Sequence, residues 1–235
     1  MEIKNLGLGL YFLATMLATI AVANGLDTLR LFSNPVVIPA IIFYFIYDRQ
    51  EKYNHWYGLV LFLCFIGDIM VFLDLDVVLY IMIPYFLSYL ILFYFVLKDV
   101  CIIKFNKKIF FFTLLIFFCL FALVAFLINS ISVKNPQLVM PGTVYGLFLI
   151  TYCSLGIYNF LATGNNSSIY LLFFLLLSVF SDIFYVVFKL ITSFRSLVFI
   201  GFCAQLISYY FLVKYFSVRK YPYKNNQYNQ INLSK

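Results

Sequence analysis

Two aspartates lie inside apolar runs that are long enough to cross a bilayer: Asp68 in FIGDIMVFL and Asp182 in FSDIFYVV. An ionised side chain near the centre of a spanning helix costs about 2.5 to 3.5 kcal/mol, and those that persist there usually face an interior cavity. Two neighbouring carboxyl groups can hold one proton between them, so that one serves as general acid and the other as general base. The pair therefore predicts acid–base chemistry within the membrane, and proton translocation is the alternative that the same residues allow.

Polar neighbours of these acids fit both a site and a structural role. Ser178 and Tyr185 share the helical face of Asp182, four residues before it and three after it. Further candidates for the walls of a site are Tyr89, Tyr145 and Gln205, which also fall within apolar runs. In the structural alternative each acid is protonated, is hydrogen-bonded by Ser, Tyr or Gln205, and holds the helices together.

The composition places these acids on membrane-spanning helices. Of the 235 residues, 65% are hydrophobic and 11% are charged, whereas soluble domains are about a quarter charged. Continuous apolar runs of about 20 residues predict helices that cross the bilayer, not a barrel. We predict an all-α, polytopic bundle of about eight transmembrane helices, over residues 6–23, 31–47, 57–73, 77–97, 109–128, 138–161, 168–190 and 197–216. Pro35, Pro39 and Gly58 interrupt the edges of the second and third runs. The predicted number of spans in this region is therefore fixed only to within one.

The distribution of basic residues predicts the orientation. With eight spans, only four of the 16 lysines and arginines, Arg30, Lys134, Lys189 and Arg195, fall opposite the termini. The bias places both termini in the cytoplasm, and we expect the cell (inner) membrane. The net charge of +7 then faces anionic lipid, and no nucleic-acid partner is expected. Residues 1–216 form the predicted transmembrane domain, and the polar residues 217–235 a disordered cytoplasmic tail.

The first span has a second interpretation. Ala21, Val22 and Ala23 resemble the small-residue site at which a secretory signal is cleaved. Against a signal, the apolar run is longer than a usual signal core, and Glu2 weakens the basic start. We expect a retained span.

Cysteine and histidine give no sign of a metal or disulfide framework. The five cysteines are odd in number and show no CxxC spacing, so they fit packing roles within spans. His55 is the only histidine and falls in a predicted cytoplasmic loop. No metal and no cofactor are expected.

Three short alignments suggest an internal four-plus-four repeat. LILFYFVLK at 90–98 matches LISYYFLVK at 206–214, IGDIMVF at 66–72 matches FSDIFYV at 180–186, and VIP at 37–39 matches VMP at 139–141. They occur in the same order in both halves. Copies with an even number of spans insert in the same orientation, so the repeat sets Asp68 and Asp182 at equal depth on parallel helices.

The order of several segments resembles the YhhN-type lysoplasmalogenase family over about residues 33–212. The segments are SNPVVIP, FIGDIMVFL, YFLSYLILFYF, MPGTVYGLFLITY, LLLSVFSDIFYVV and AQLISYYFL. The characterised animal enzymes of that family hydrolyse the vinyl ether bond of lysoplasmalogens to a fatty aldehyde and a glycerophospho-alcohol. The resemblance implies the same activity, with Asp68 and Asp182 as catalytic carboxylates and a membrane lysolipid as substrate.

Two positions depart from the family pattern within the implied substrate site. Asn34 stands where the family commonly has Lys, and Tyr89 where it commonly has His. The predicted substrate-binding residues are Asn34, Tyr89, Tyr145, Ser178, Tyr185 and Gln205. The sequence thus predicts a membrane-embedded ether hydrolase, with a proton-coupled transporter or a non-catalytic lipid-binding protein as alternatives.

Overall fold

The computed structural model describes residues 3–48, 55–73, 78–191 and 194–219. Its helices are α1 (Ile3–Asn24), α2 (Asp27–Asp48), α3 (His55–Phe72), α4 (Val78–Val100), α5 (Lys107–Lys134), α6 (Val139–Thr163), α7 (Asn166–Val186) and α8 (Arg195–Val218). A 3₁₀ turn, Pro136–Leu138, precedes α6, and a π-helical turn, Val187–Ile191, extends α7. All eight helices are long and apolar enough to cross a membrane. The predicted all-α bundle of eight spans is therefore confirmed, and Asp74, Asp76 and residues 220–235 lie outside the described residues.

Short caps and turns fold consecutive helices into antiparallel pairs. Asn106 begins α5 because its Oδ1 accepts a hydrogen bond from the backbone N–H of Lys108 at 3.0 Å. Gly164 ends α6 with φ of +57°, a conformation that costs glycine little. Asn165 then begins α7 by accepting from the N–H of Ser168 at 2.7 Å. One tight turn thus carries the chain from α6 directly into α7.

The helix neighbours follow a two-fold pattern. Each odd helix packs against the even helix that follows it, and α2 and α6 also contact the helix that comes next, α3 and α7. In addition α8 packs against α2 as α4 packs against α6. A four-plus-four repeat requires this arrangement, because it exchanges α2 with α6 and α8 with α4. The outer helices differ, since α1 packs against α8 whereas α5 has at most marginal contact with α4.

The prolines of the second span do not divide it, so the count of eight spans stands, and the helix begins at Asp27, four residues before the predicted start. Pro35 and Pro39 both lie inside α2, which has 22 residues, and Pro84 lies inside α4. Prolines are tolerated in membrane helices because neighbouring helices and hydroxyl side chains satisfy the freed backbone groups. The third span also begins earlier than predicted, since His55 is the first residue of α3.

A charged cluster at the end of α8 joins three helices on the side of the bundle where α1 begins and α8 ends. The Arg219 guanidinium is 5% exposed and bonds both carboxylate oxygens of Asp99, with Nη2 at 2.7 Å and Nε at 2.9 Å. Its Nη1 also donates to the Tyr57 hydroxyl at 3.0 Å. The predicted polar tail from residue 217 therefore begins too early. The helix continues to Val218, and Arg219 belongs to the folded bundle.

Candidate functional site

A cavity of about 180 Å³ lies in the half of the bundle opposite the start of α1 and the end of α8. All eight helices contribute to its walls, mostly through residues near the helix ends on that side, such as Val22, Arg30, Phe72 and Val78. The walls are largely aliphatic and aromatic. Both Asp68 and Asp182 line this one cavity, where they stand among the few polar side chains of an apolar surface.

Asp68 is held by two tyrosines from different helices. The Tyr85 hydroxyl of α4 donates to Asp68 Oδ1 at 2.5 Å, and the Tyr209 hydroxyl of α8 donates to the same oxygen at 2.7 Å. Gly67 makes room for the first of these contacts, because a Cβ there would lie 2.7 Å from the Tyr85 ring. The carboxyl group of α3 is thus joined to α4 and α8.

Asp182 has a matching pair of tyrosine donors. Tyr145 of α6 donates to Asp182 Oδ2 at 2.8 Å, and Tyr89 of α4 donates to the same oxygen at 3.3 Å. Nearby, α8 approaches α7 closely at Gly201, where a Cβ would lie 3.1 Å from the Cβ of Phe184. The second carboxyl group is therefore fixed by α4 and α6.

Each carboxyl group uses only one oxygen for these bonds. Among the described residues, the hydrogen bonds reach Oδ1 of Asp68 and Oδ2 of Asp182, and the other oxygen of each receives none. Both aspartates are partly buried, whereas Tyr89 and Tyr209 are at most 1% exposed. The tyrosines thus orient two carboxyl groups and leave one oxygen of each for a ligand or a proton.

Gln205 extends the hydrogen-bonded group around Asp68. It lines the cavity on α8, and its Nε2 donates to the Tyr209 hydroxyl at 2.8 Å. Its Oε1 is buried and receives no hydrogen bond within the described part of the chain, and the same is true of Oδ1 of Asn34. Asn34 lines the cavity from α2. Two residues of the cavity wall thus each have an amide oxygen that is buried and has no donor among the described residues.

Most of the site residues predicted from the sequence lie in the wall of this cavity. Asp68, Asp182, Asn34, Tyr145, Tyr185 and Gln205 line the cavity. Tyr89 is not in the wall but donates to Asp182 from behind it. Ser178 is 1% exposed and donates to the carbonyl of Leu175 in its own helix at 3.1 Å, so it is not brought to the cavity.

Three residues of the site were missed by the sequence reasoning. Tyr85 and Tyr209 hold Asp68, and Arg30 lines the cavity with its guanidinium 5.3 Å from the centre of the Phe72 ring. A signal existed for Tyr209, which follows Gln205 by one helical turn and so shares its face. Gly67 was also a signal, because a small residue beside an acid leaves room for a large neighbour.

The donor set has no metal-binding character. Within the described ranges, His, Cys, Asp and Glu form no cluster of three that could hold a metal ion. The five cysteines are all free thiols, and Cys64 and Cys153 are buried. The polar side chains of the cavity wall carry carboxyl, hydroxyl, amide and guanidinium groups.

No family model, curated protein or solved structure matches the chain. The resemblance to YhhN-type lysoplasmalogenases therefore stays a prediction from the sequence. What the protein does has to be argued from the cavity itself.

Proposed function

We propose that the protein is a membrane-embedded hydrolase that cleaves the vinyl ether bond of a single-chain, lysoplasmalogen-like lipid. The observation that carries the proposal is that Asp68 and Asp182 line one apolar cavity. Each carboxyl group is held by two tyrosine hydroxyls through a single oxygen. Two oriented carboxyl groups on the wall of one apolar cavity are what acid–base cleavage of an ether requires.

The reaction begins when one aspartic acid gives its proton to the alkene carbon that is not bonded to oxygen. The resulting oxocarbenium ion is stabilised by the charge of the other carboxylate, as in glycoside hydrolysis. Water then adds to the cationic carbon and gives a proton to that second carboxylate, which leaves a hemiacetal. The protonated second carboxyl passes its proton to the ether oxygen while the first takes the hemiacetal proton. The carbon–oxygen bond breaks, the fatty aldehyde and the glycerophospho-alcohol are released, and both aspartates return to their starting states.

The size of the cavity limits how a lipid can bind. At about 180 Å³ it is close to the roughly 150 Å³ that accepts a benzene molecule in an engineered protein cavity. Only the reacting part of a lysolipid fits inside, and the rest of the chain must leave between helices. The boundary between α4 and α5 suits this, because α5 lines the cavity through Val124, Leu127 and Ile128 but has at most marginal contact with α4.

The decisive experiment measures fatty aldehyde released from a vinyl ether lysolipid by the purified protein in detergent. We expect release by wild type and its loss in Asp68→Asn and in Asp182→Asn. Absence of aldehyde from a folded wild-type protein would refute the hydrolase. Equal release by either variant would refute the two-acid mechanism.

A proton-coupled transporter is the second candidate, favoured by the two-fold pattern of helix contacts around the cavity. Such a protein would use Asp68 and Asp182 as a proton-carrying pair instead of as catalysts. Proteoliposomes that contain a pH-sensitive dye distinguish the two. A lysolipid-dependent change of internal pH without aldehyde release would favour transport over hydrolysis.

A further inference from the structure

Four lysines mark the connection between α4 and α5, on the side of the bundle where α1 begins and α8 ends. All four are exposed and fall within residues 98–108: Lys98, Lys104, Lys107 and Lys108. Asp99 is the one acid of this stretch, and both of its carboxylate oxygens already bond the Arg219 guanidinium. The connection between α6 and α7, on the same side, has no lysine or arginine. The lysines thus form a positive surface beside α4 and α5 that no free acid of the stretch offsets.

Two of these lysines oppose the dipole of the helix that they begin. Lys107 and Lys108 lie in the first turn of α5, which contains no acid. Cations are favourable at the C-terminal end of a helix and unfavourable at its N-terminal end. A negatively charged group beside this turn would therefore be attracted by the lysine side chains and would also relieve their repulsion.

Large apolar side chains are exposed next to the lysines. Ile102 is 61% exposed and Phe105 is 66% exposed, and the centres of the Phe105 and Phe110 rings lie 5.4 Å apart. On α4, Tyr94 is 53% exposed, and Nζ of Lys98 lies 4.4 Å from the centre of its ring. The surface therefore combines basic groups for an anion with apolar groups for hydrocarbon.

The boundary between α4 and α5 is loosely packed. These two helices have at most marginal contact, whereas the pair α8 and α1, which the four-plus-four pattern relates to them, is in contact. In addition α5 has the smallest buried share of the eight spans. Hydrocarbon surrounds a spanning helix wherever no protein neighbour covers it, so the apolar surface at this boundary is available to lipid chains.

Hydrogen bonds hold the connection in place. The N–H of Ile103 donates to the carbonyl of Val100 at 3.0 Å, and the N–H of Asn106 donates to the Tyr158 hydroxyl of α6 at 3.3 Å. The side chain of Asn106 also caps α5. The positions of the lysines and exposed rings are thus set by the fold, which lowers the entropy lost when a ligand binds.

We propose that the connection between α4 and α5 is a binding site for an anionic glycerophospholipid of the adjacent leaflet. Its phosphate lies among the lysines, and its acyl chains lie along the boundary between α4 and α5. Clusters of four or more basic residues next to a spanning helix are suited to anionic lipid headgroups. A zwitterionic lipid has the same chains but no net charge, and a free phosphate ion has the charge but no chains. The inference is independent of the proposed hydrolase.

Quenching of tryptophan fluorescence by lipids with brominated chains tests this site. Trp56 is the only tryptophan of the chain, so Phe105→Trp in a Trp56→Phe background detects the lipid that contacts the connection. The protein is reconstituted in vesicles of phosphatidylcholine and phosphatidylglycerol, with bromine on one lipid or on the other. Both leaflets contain both lipids, so the result does not depend on orientation. We expect phosphatidylglycerol to bind there at least about fivefold more tightly than phosphatidylcholine.

A second tryptophan position provides the matched control. Phe126 is 69% exposed in the other half of α5, remote from the four lysines. Phe126→Trp in the same background should therefore be quenched almost equally by the two lipids. A preference at Phe126→Trp as large as that at Phe105→Trp would reflect the overall charge of the protein and would overturn a local site.

Neutral variants test the lysines themselves. Lys104→Gln, Lys107→Gln and Lys108→Gln, combined with Phe105→Trp, should reduce the preference for phosphatidylglycerol to less than about twofold. A preference that survives these substitutions would overturn the role of the lysines. Equal quenching by the two lipids at Phe105→Trp, with all lysines present, would overturn the whole inference even if the neutral variant does not fold.

Inorganic phosphate distinguishes a lipid from a soluble anion. Added at constant ionic strength, it should leave the preference at Phe105→Trp unchanged, because it cannot use the apolar boundary between α4 and α5. Loss of the preference in inorganic phosphate would assign the lysines to a free phosphate ion and overturn the lipid site.

Discussion

Tyr85 and Tyr89 lie four residues apart on α4, and each donates its hydroxyl to a different aspartate of the same cavity. One turn of a single helix thus contacts both carboxyl groups. Because α4 belongs to the first half of the chain and Asp182 to the second, this turn joins the two halves at the site. The alignment of the two acids therefore depends on the rotation of α4.

Removing the tyrosine donors of Asp68 should reduce activity without unfolding the protein. Tyr85→Phe and Tyr209→Phe keep the ring and lose one hydrogen bond to the carboxyl group. A hydrogen bond to a charged group is worth about 1.5 to 3 kcal/mol, so we expect aldehyde release to fall roughly tenfold to a hundredfold in each variant. The initial rate at saturating substrate, measured beside thermal unfolding in detergent, checks the effect.

Tyr152→Phe is the control for these variants. Tyr152 is fully buried, but its hydroxyl has no hydrogen-bond partner among the described residues. Its removal should leave activity unchanged and stability unchanged or slightly higher, because an unsatisfied buried hydroxyl is unfavourable. If Tyr152→Phe lowered activity as much as Tyr85→Phe, the loss would not be specific to the tyrosines that bond Asp68.

A methyl group at Gly67 should displace Tyr85 from Asp68. The added Cβ would lie 2.7 to 2.9 Å from three ring atoms of Tyr85, a distance at which the ring has to shift. We expect Gly67→Ala to lower aldehyde release at least as much as Tyr85→Phe, and to cost about 1 to 3 kcal/mol of stability through overpacking.

Gly9→Ala is the matched substitution without a clash. Nothing lies within 4 Å of a Cβ at Gly9, on an exposed turn of α1. Alanine there should be neutral or stabilise the helix by about 0.5 to 1 kcal/mol. If Gly67→Ala behaves like Gly9→Ala, the close packing of α3 on Tyr85 does not position the acid.

The two aspartates should act as a unit. Asp68→Asn and Asp182→Asn each remove one partner of the proton exchange, and each should lower the rate by at least about a hundredfold. The double variant should be little slower than either single one, because groups that act together are strongly non-additive. Asp27→Asn, on the exposed first turn of α2, serves as the control and should leave the rate unchanged. Independent, multiplicative losses would contradict a shared reaction.

The eight helices are well predicted from the sequence because a spanning helix must be apolar over about 20 residues, and hydropathy measures this property directly. The helix ends were predicted less well, since α2 begins at Asp27 and α3 at His55, four and two residues before the predicted starts. Pro35 and Pro39 disrupt helices in water and left the count of spans open by one, but packing within a bundle tolerates them inside α2. The end of α8 was placed too early for another reason. Arg219 looks like part of a polar tail, and only its distant partner Asp99 makes its burial possible.

The two acids were detectable because charged residues are rare in apolar runs, whereas their partners were not. The chain has 20 tyrosines, and helix rotation decides which of them reach an acid. Tyr85 and Tyr209 do. The spacing of Tyr209 from Gln205 and the small residue Gly67 beside Asp68 are weak signals, and neither singles out one tyrosine among the 20. Ser178 shows the converse, since its spacing from Asp182 was suitable but its hydroxyl bonds its own helix.

The ion pair between Arg219 and Asp99 should contribute stability and not activity. Arg219→Leu would leave Asp99 without its bidentate partner, and breaking a buried pair costs about 3 to 5 kcal/mol. We expect a lower unfolding temperature in detergent, with an unchanged rate per folded molecule, because the pair lies at the opposite end of the bundle from the cavity. Lys98→Gln, at an exposed position near Asp99, should change stability little.

Truncation tests the same cluster. A chain that ends at Arg219 keeps all of these contacts, whereas one that ends at Val218 loses them. We expect the first to unfold at a clearly higher temperature than the second. Equal unfolding temperatures would contradict a stabilising role for Arg219.

Cys101 offers a native test of the predicted orientation. It is exposed just after the end of α4, on the side where α1 begins and α8 ends, while Cys64 and Cys153 are buried. Cys119 is also exposed, but it lies near the middle of the α5 span, and Cys203 lies within α8. A water-soluble reagent does not reach such positions within the bilayer. The basic residues predict that this side is cytoplasmic.

A membrane-impermeant maleimide should therefore label the protein in permeabilised cells but not in intact ones, and Cys101→Ser should abolish that labelling. Thr28→Cys in the Cys101→Ser background, at an exposed position on the opposite side, should be labelled in intact cells. The reverse labelling pattern would mean that the bundle has the opposite orientation in the membrane, with the cavity on the cytoplasmic side.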